Sequence, residues 1–150
     1  METEVYYSKS QLKEHQTILA HGGDKEEVDM ESILTSIKKL LGIPAEYTHF
    51  DQDIMIHINT AFVTLHQLGV GPSIGFMIED ETAVWDDYIG TVYDALMVKT
   101  YIYLKVKQVF DPPTSSIVAE AMNRNISELE WRLNAAVDKS TVEEDDTGDE

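Results

Sequence analysis

Cysteine is absent from this 150-residue sequence. Disulfides and thiolate chemistry are therefore excluded, and the redox compartment is left undetermined. Basic charge is scarce: 11 Lys and Arg stand against 28 Asp and Glu, for a formal net charge of −17. The deficit is uneven. No Lys or Arg lies between Lys39 and Lys99, an interval that holds Glu46, Asp51, Asp53, Glu79, Asp80, Glu81, Asp86, Asp87 and Asp94. Such a surface repels phosphate backbones, which argues against ordinary DNA or RNA binding. Two expectations remain: charge that simply keeps the chain in solution, or a surface that must not stick to DNA or that docks on a basic partner. No apolar run approaches the roughly 18 residues of a membrane span, and no basic-then-apolar leader opens the chain. The expected setting is the inside of a cell, or something assembled there.

Recognisable site chemistry is equally sparse. Gly69-Val70-Gly71-Pro72 follows a helical pattern rather than a strand, which is the wrong context for a phosphate loop. No G-x-S-x-G elbow is present, so nucleophilic catalysis has no candidate constellation. His57 follows Asp53 by one helical turn, but two ligands are not a metal site, and a first-turn acid beside a polar-face histidine explains both more simply. Glu79-Asp80-Glu81 and Asp86-Asp87 lack the glycine and ligand order of a calcium loop. No catalytic, cofactor-binding or metal residue is assigned, and an enzyme is not expected.

What is present is helical periodicity on a 43% hydrophobic chain, enough for one domain with a core. Ile33, Leu34, Ile37, Leu40 and Leu41 follow the helical period, with Asp29 as candidate N-cap and Gly42 and Pro44 as the stop. The next helix opens at Phe50-Asp51, with Asp51 as N-cap and Phe50 stapled to Ile54 or Met55. Its stripe of Ile54, Ile58, Ala61, Leu65 and Leu68 should face the core. Residues 69–90 form a long connection with a short strand conceivable at Gly75–Ile78; it reads either as a lid with Phe76 and Trp85 buried or as a functional loop. Thr91 through Phe110 is apolar on most of its circumference, as befits a central helix.

Phe110-Asp111-Pro112-Pro113-Thr114-Ser115-Ser116 then makes a fixed corner. Each proline lacks an amide donor and clashes with the preceding turn, while Thr114 and Ser115 offer caps for a new helix. The last helix buries Ile117/Val118, Met122, Ile126, Leu129, Leu133 and Ala136/Val137, and its other face pairs Glu120 with Arg124 and Glu128 with Arg132. From Asp138 the composition turns acidic and has the signature of disorder.

The fold class expected is all-α: a small bundle with helices near 30–41, 52–68, 91–110 and 115–137. The division is an N-terminal arm at 1–28, a helical domain at 29–138 and an acidic tail at 139–150. Expected core residues are Ile37, Leu41, Ile58, Phe62, Leu65, Leu96, Leu104, Leu129 and Leu133. Candidate partner contacts are Phe76, Met77, Ile78 and Trp85 in the connection, and Pro112 and Pro113 at the corner. Arg124, Trp131 and Arg132 on the last helix and Glu143, Glu144, Asp145 and Asp146 in the tail complete the set.

Three stretches, ILTSIKKLLGI at Ile33–Ile43, HINTAFVTLHQLGVGP at His57–Pro72 and FDPPTSSIVAEAMNRNISELEWRLN at Phe110–Asn134, resemble the head–tail connector proteins of tailed bacteriophages. With the intervening helix the resemblance spans about residues 30–138, and its most specific elements are Leu68-Gly69-Val70-Gly71-Pro72 and Asp111-Pro112-Pro113. It implies a virion protein of the neck, assembled in the host cytoplasm. About a dozen copies would form a homo-oligomeric ring under the portal protein. Genomic DNA would pass through that ring without specific binding, and the next neck or tail-completion protein would dock on it. No cofactor, membrane or catalytic residue comes with that role. The competing reading, from a different class, is a cytosolic helical interaction module whose acidic tail binds a basic partner.

Overall fold

The computed structural model describes residues 31–89 and 95–145. Among them are five helices and no strand: α1 (Ile33–Leu40), α2 (Asp51–Gln67), α3 (Asp86–Ile89), α4 (Ala95–Phe110) and α5 (Ser116–Asp145). The fold class is all-α, as expected. The expected arm and Asp29 lie outside the described residues, as do Thr91–Asp94 at the expected start of the long apolar helix.

The core forms where the sequence periodicity puts it. α2 packs along α4, α5 lies against α4, and α1 closes one end by touching both α2 and α4. Ile54, Ile58, Ala61 and Leu65 of α2 are buried, and so are Ile33, Leu34 and Ile37 of α1. α4 contributes Val98, Tyr101, Ile102 and Val106, and α5 contributes Met122, Ile126 and Leu133. Leu41, Leu104 and Leu129 are half-buried against this cluster. Leu96 is a correction: it is 68% exposed. At about 100° per residue it sits nearly opposite Val98, on the outer face of a helix too apolar to reveal its inner side.

Both expected glycine stops are realised in the same way. The amide of Ile43 reaches the Lys38 carbonyl and that of Gly42 the Lys39 carbonyl; Val70 and Gly69 repeat the pattern on Leu65 and His66. These are the crossed bonds of a Schellman ending, which needs a left-handed residue just past the helix. Gly42 and Gly69 supply it, with φ of 78° and 80°.

The helix starts differ from expectation. Ser32 caps α1 by accepting the Thr35 amide. The N-cap of α2 is Phe50, without a side-chain cap, and Asp51 is already helical. The Asp51 carboxylate is diverted to a buried cation: Lys38, 2% exposed, sits 2.6 Å from it and donates to the Ala45 carbonyl at 3.0 Å. A buried ammonium is tolerable only with such partners, so the acid serves the ion pair instead of the helix amides. Phe50 packs edge-on against Phe110 at 5.4 Å, tying the start of α2 to the end of α4.

The double-proline corner separates α4 from α5 as the sequence requires. α4 ends with the Asp111 amide on the Lys107 carbonyl, and α5 starts with the Ala119 amide on that of Ser115. α5 runs to Asp145, well past the expected end at 137. Nothing between Pro113 and Gly148 breaks a helix: the interval has neither glycine nor proline.

Candidate docking surface

The connection between α2 and α4 is a lid, and its attachment determines what the surface presents. Trp85 is fully buried and its indole donates to the Ser36 hydroxyl at 2.8 Å, which in turn donates to the Ile33 carbonyl at 2.9 Å. The Lys99 ammonium lies 5.4 Å above the Trp85 ring, a cation–π arrangement. Ser32 and Val84 form an isolated antiparallel bridge beside it. No strand forms at Gly75–Ile78. Asn59 of α2 takes a strand's role there: its amide donates to the Ile78 carbonyl at 2.9 Å and its carbonyl accepts the Ile78 amide at 2.8 Å.

Phe62, Phe76 and Tyr88 pack ring on ring, with centroids 4.6–5.2 Å apart. Tyr88 donates to the Val70 carbonyl at 3.2 Å, and its ring lies where a Cβ on Gly71 would come within 2.5 Å. Gly71, at φ 91°, is therefore fixed both by conformation and by this contact. The lid reading holds for Trp85, which is buried, whereas Phe76 is half-buried against the core.

Ile78 and Trp85 are buried and serve the fold, so neither offers docking area. Phe76 is half-buried, and Met77 is 63% exposed. Phe76 and Met77 line a shallow apolar groove of about 360 Å³ together with Phe62, Val63, His66, Ile74 and Gly75. Ile74, at its lip, is 95% exposed. Glu79, Asp80 and Glu81 follow directly and are all exposed. The Thr82 hydroxyl and amide both donate to Asp80, at 2.5 and 2.8 Å, and hold its carboxyl below the ordinary aspartate value.

A second groove, of about 250 Å³, runs between α4 and α5, lined by Met97, Thr100, Leu104, Asn125, Glu128, Leu129 and Arg132. Arg132 forms the expected pair with Glu128, at 2.6 Å. Glu120 and Arg124 do not pair: both are exposed, and Arg124 has no ion-pair partner among the described residues. Trp131 is 71% exposed on the same helix. Pro112 is exposed and Pro113 half-buried at the corner. Glu143, Glu144 and Asp145 lie on the last turns of α5, and Asp146 is outside the described residues.

Sequence reasoning missed Val63, Ile74 and Ile117, all exposed and apolar. Ile117 belongs to the expected buried face of the last helix, but it lies on the side of α5 roughly opposite Met122, Ile126 and Leu133 and is 76% exposed. Val63 carried a signal, since it falls outside the α2 core stripe; Ile74 in an irregular segment carried none.

Among the described residues no group of three or more His, Asp or Glu is placed to hold a metal ion, and no helix is long and apolar enough to cross a membrane. What the helical body displays is apolar and aromatic side chains left uncovered. The profile of the phage connector protein family matches residues 33–140, from the first residue of α1 into the far end of α5. The chain belongs to that family, a structural family of phage head–tail connectors. Neither a curated protein nor a solved structure matches it.

Proposed function

We propose that this chain is a subunit of a ring of about a dozen copies that docks under the portal protein, extends the DNA exit channel and receives the next neck or tail-completion protein. The observation that carries the reading is the family match over most of the helical body, residues 33–140. The exposed Val63, Ile74 and Met77 support it, because they lie together at one groove and a contiguous uncovered apolar patch marks a contact surface. The charge of −17 suits a conduit for DNA: carboxylates facing a channel repel passing phosphates, so no bound state stalls transit. In this role the protein has no catalytic step.

Light scattering coupled to size-exclusion chromatography tests the reading. The chain mixed with its portal should co-elute at a mass that adds a full ring to the portal. A chain that stays monomeric or dimeric and elutes apart from the portal would favour an interaction module instead.

A further inference from the structure

We propose that the outer face of α5 in one copy seats in the Val63–Ile74–Met77 groove of the next copy, so that the subunit contact is heterologous. The proposal rests on the ring reading and names the two surfaces that build the ring. Ile117, Arg124 and Trp131 recur at heptad spacing, which aligns them along α5 over about 21 Å. All three are exposed. The row lies roughly opposite Met122, Ile126 and Leu133, which face the core. It therefore points away from its own body and cannot cover its own groove.

Tryptophan and arginine on an exposed helix face are the residue types that most often dominate binding energy. Arg124 is without an ion-pair partner among the described residues, although Glu120 stands one turn away. The groove offers apolar side chains at Val63, Ile74 and Met77, with His66 among them, and Glu79 and Glu81 follow Met77 two and four residues along the chain, both exposed and without an ion pair among the described residues. A row carrying Arg124 and Trp131 on α5 and an apolar groove followed in sequence by exposed acids, on different elements of one molecule, generate a ring when the rotation closes and a filament when it does not.

This chain has no native cysteine, so any disulfide between its copies joins introduced thiols. Ser73 borders Ile74, and Ser127 lies between Arg124 and Trp131; both are exposed. The full-length Ser73→Cys/Ser127→Cys chain, mixed with the portal and oxidised, should give a covalent ladder of dimers, trimers and higher species. Either single substitution should give dimers at most. Arg124→Glu should lower the ladder yield roughly tenfold. Adding Glu79→Arg and Glu81→Arg to Arg124→Glu should restore it, with unchanged circular dichroism in every variant. Rings seen by electron microscopy without a ladder would overturn this contact and leave the ring reading standing. A ladder on open filaments would support the contact and contradict the closed ring. A chain that remains monomeric beside the portal would overturn both.

Discussion

Asn59 shows how one side chain can stand in for a missing element. It satisfies both the amide and the carbonyl of buried Ile78, so the lid needs no strand at that point. Asn59→Leu leaves two backbone groups without partners and should cost about 1–3 kcal/mol. Urea denaturation checks this, and an unchanged midpoint would mean that the lid is held elsewhere. Tyr101 carries a pH dependence. Its hydroxyl donates to Glu130 at 2.8 Å. Burial, then the hydrogen bond and charge of Glu130, raise the phenol above its ordinary value, against a smaller opposing hydrogen bond from Thr64. The folded state thus holds this proton more tightly than the unfolded state. Its contribution is complete below the unfolded value near about 10 and is lost as pH climbs from there through the folded value. Tyr101→Phe should flatten the fall of stability with pH above about 10; parallel curves for the two proteins would contradict the assignment. Neither residue was legible beforehand, because each acts on a partner far away in sequence. Lys38 was nearer to legible. It lies within the apolar stripe of Leu34, Ile37 and Leu41, a position that calls for a buried counter-charge, although only the fold identifies Asp51 as that charge.

At the level of helices, periodicity and punctuation determined most of what the structure shows. The α2 stripe is buried as its four-and-three spacing requires, and Leu65→Ala should cost about 2–5 kcal/mol by calorimetry. A loss below about 0.5 would place Leu65 outside the core. Glycine stops were readable because a left-handed residue after an apolar stripe has few other uses. Helix starts were less so, since Asp51 had a stronger claim on it than the amides it precedes. α4 gave the poorest guide: apolar nearly all round, it offered no way to tell Leu96 from Val98. The corner at Pro112-Pro113 was plain from sequence, and in the proposed role it sets where α5 points. Replacing both prolines by Ala should leave thermal stability within about 1 kcal/mol while reducing assembly onto the portal. Normal neck assembly by the double variant would show that the angle does not matter.

For the molecule as a whole, the acidic excess and the uncovered apolar side chains are what the proposed assembly would use. α5 continues into the acidic segment as far as Asp145, so Glu143, Glu144 and Asp145 are carried on the helix. Deleting residues 140–150 should leave the bundle folded but weaken docking on the portal, most of all at low ionic strength, because exposed carboxylate contacts are screened by salt. Binding that is unchanged at every salt concentration would reduce the segment to an aid to solubility. The surface contacts were only partly legible because exposure depends on what the fold covers, and residues as apolar as Ile78 and Met77 end on opposite sides of that division. Electron microscopy of the full-length chain mixed with its portal addresses the connector role most directly. The expected image is a closed ring of subunits coaxial with the portal, with an open central channel. Portal rings with bare undersides, at protein concentrations well above those needed for assembly, would contradict it.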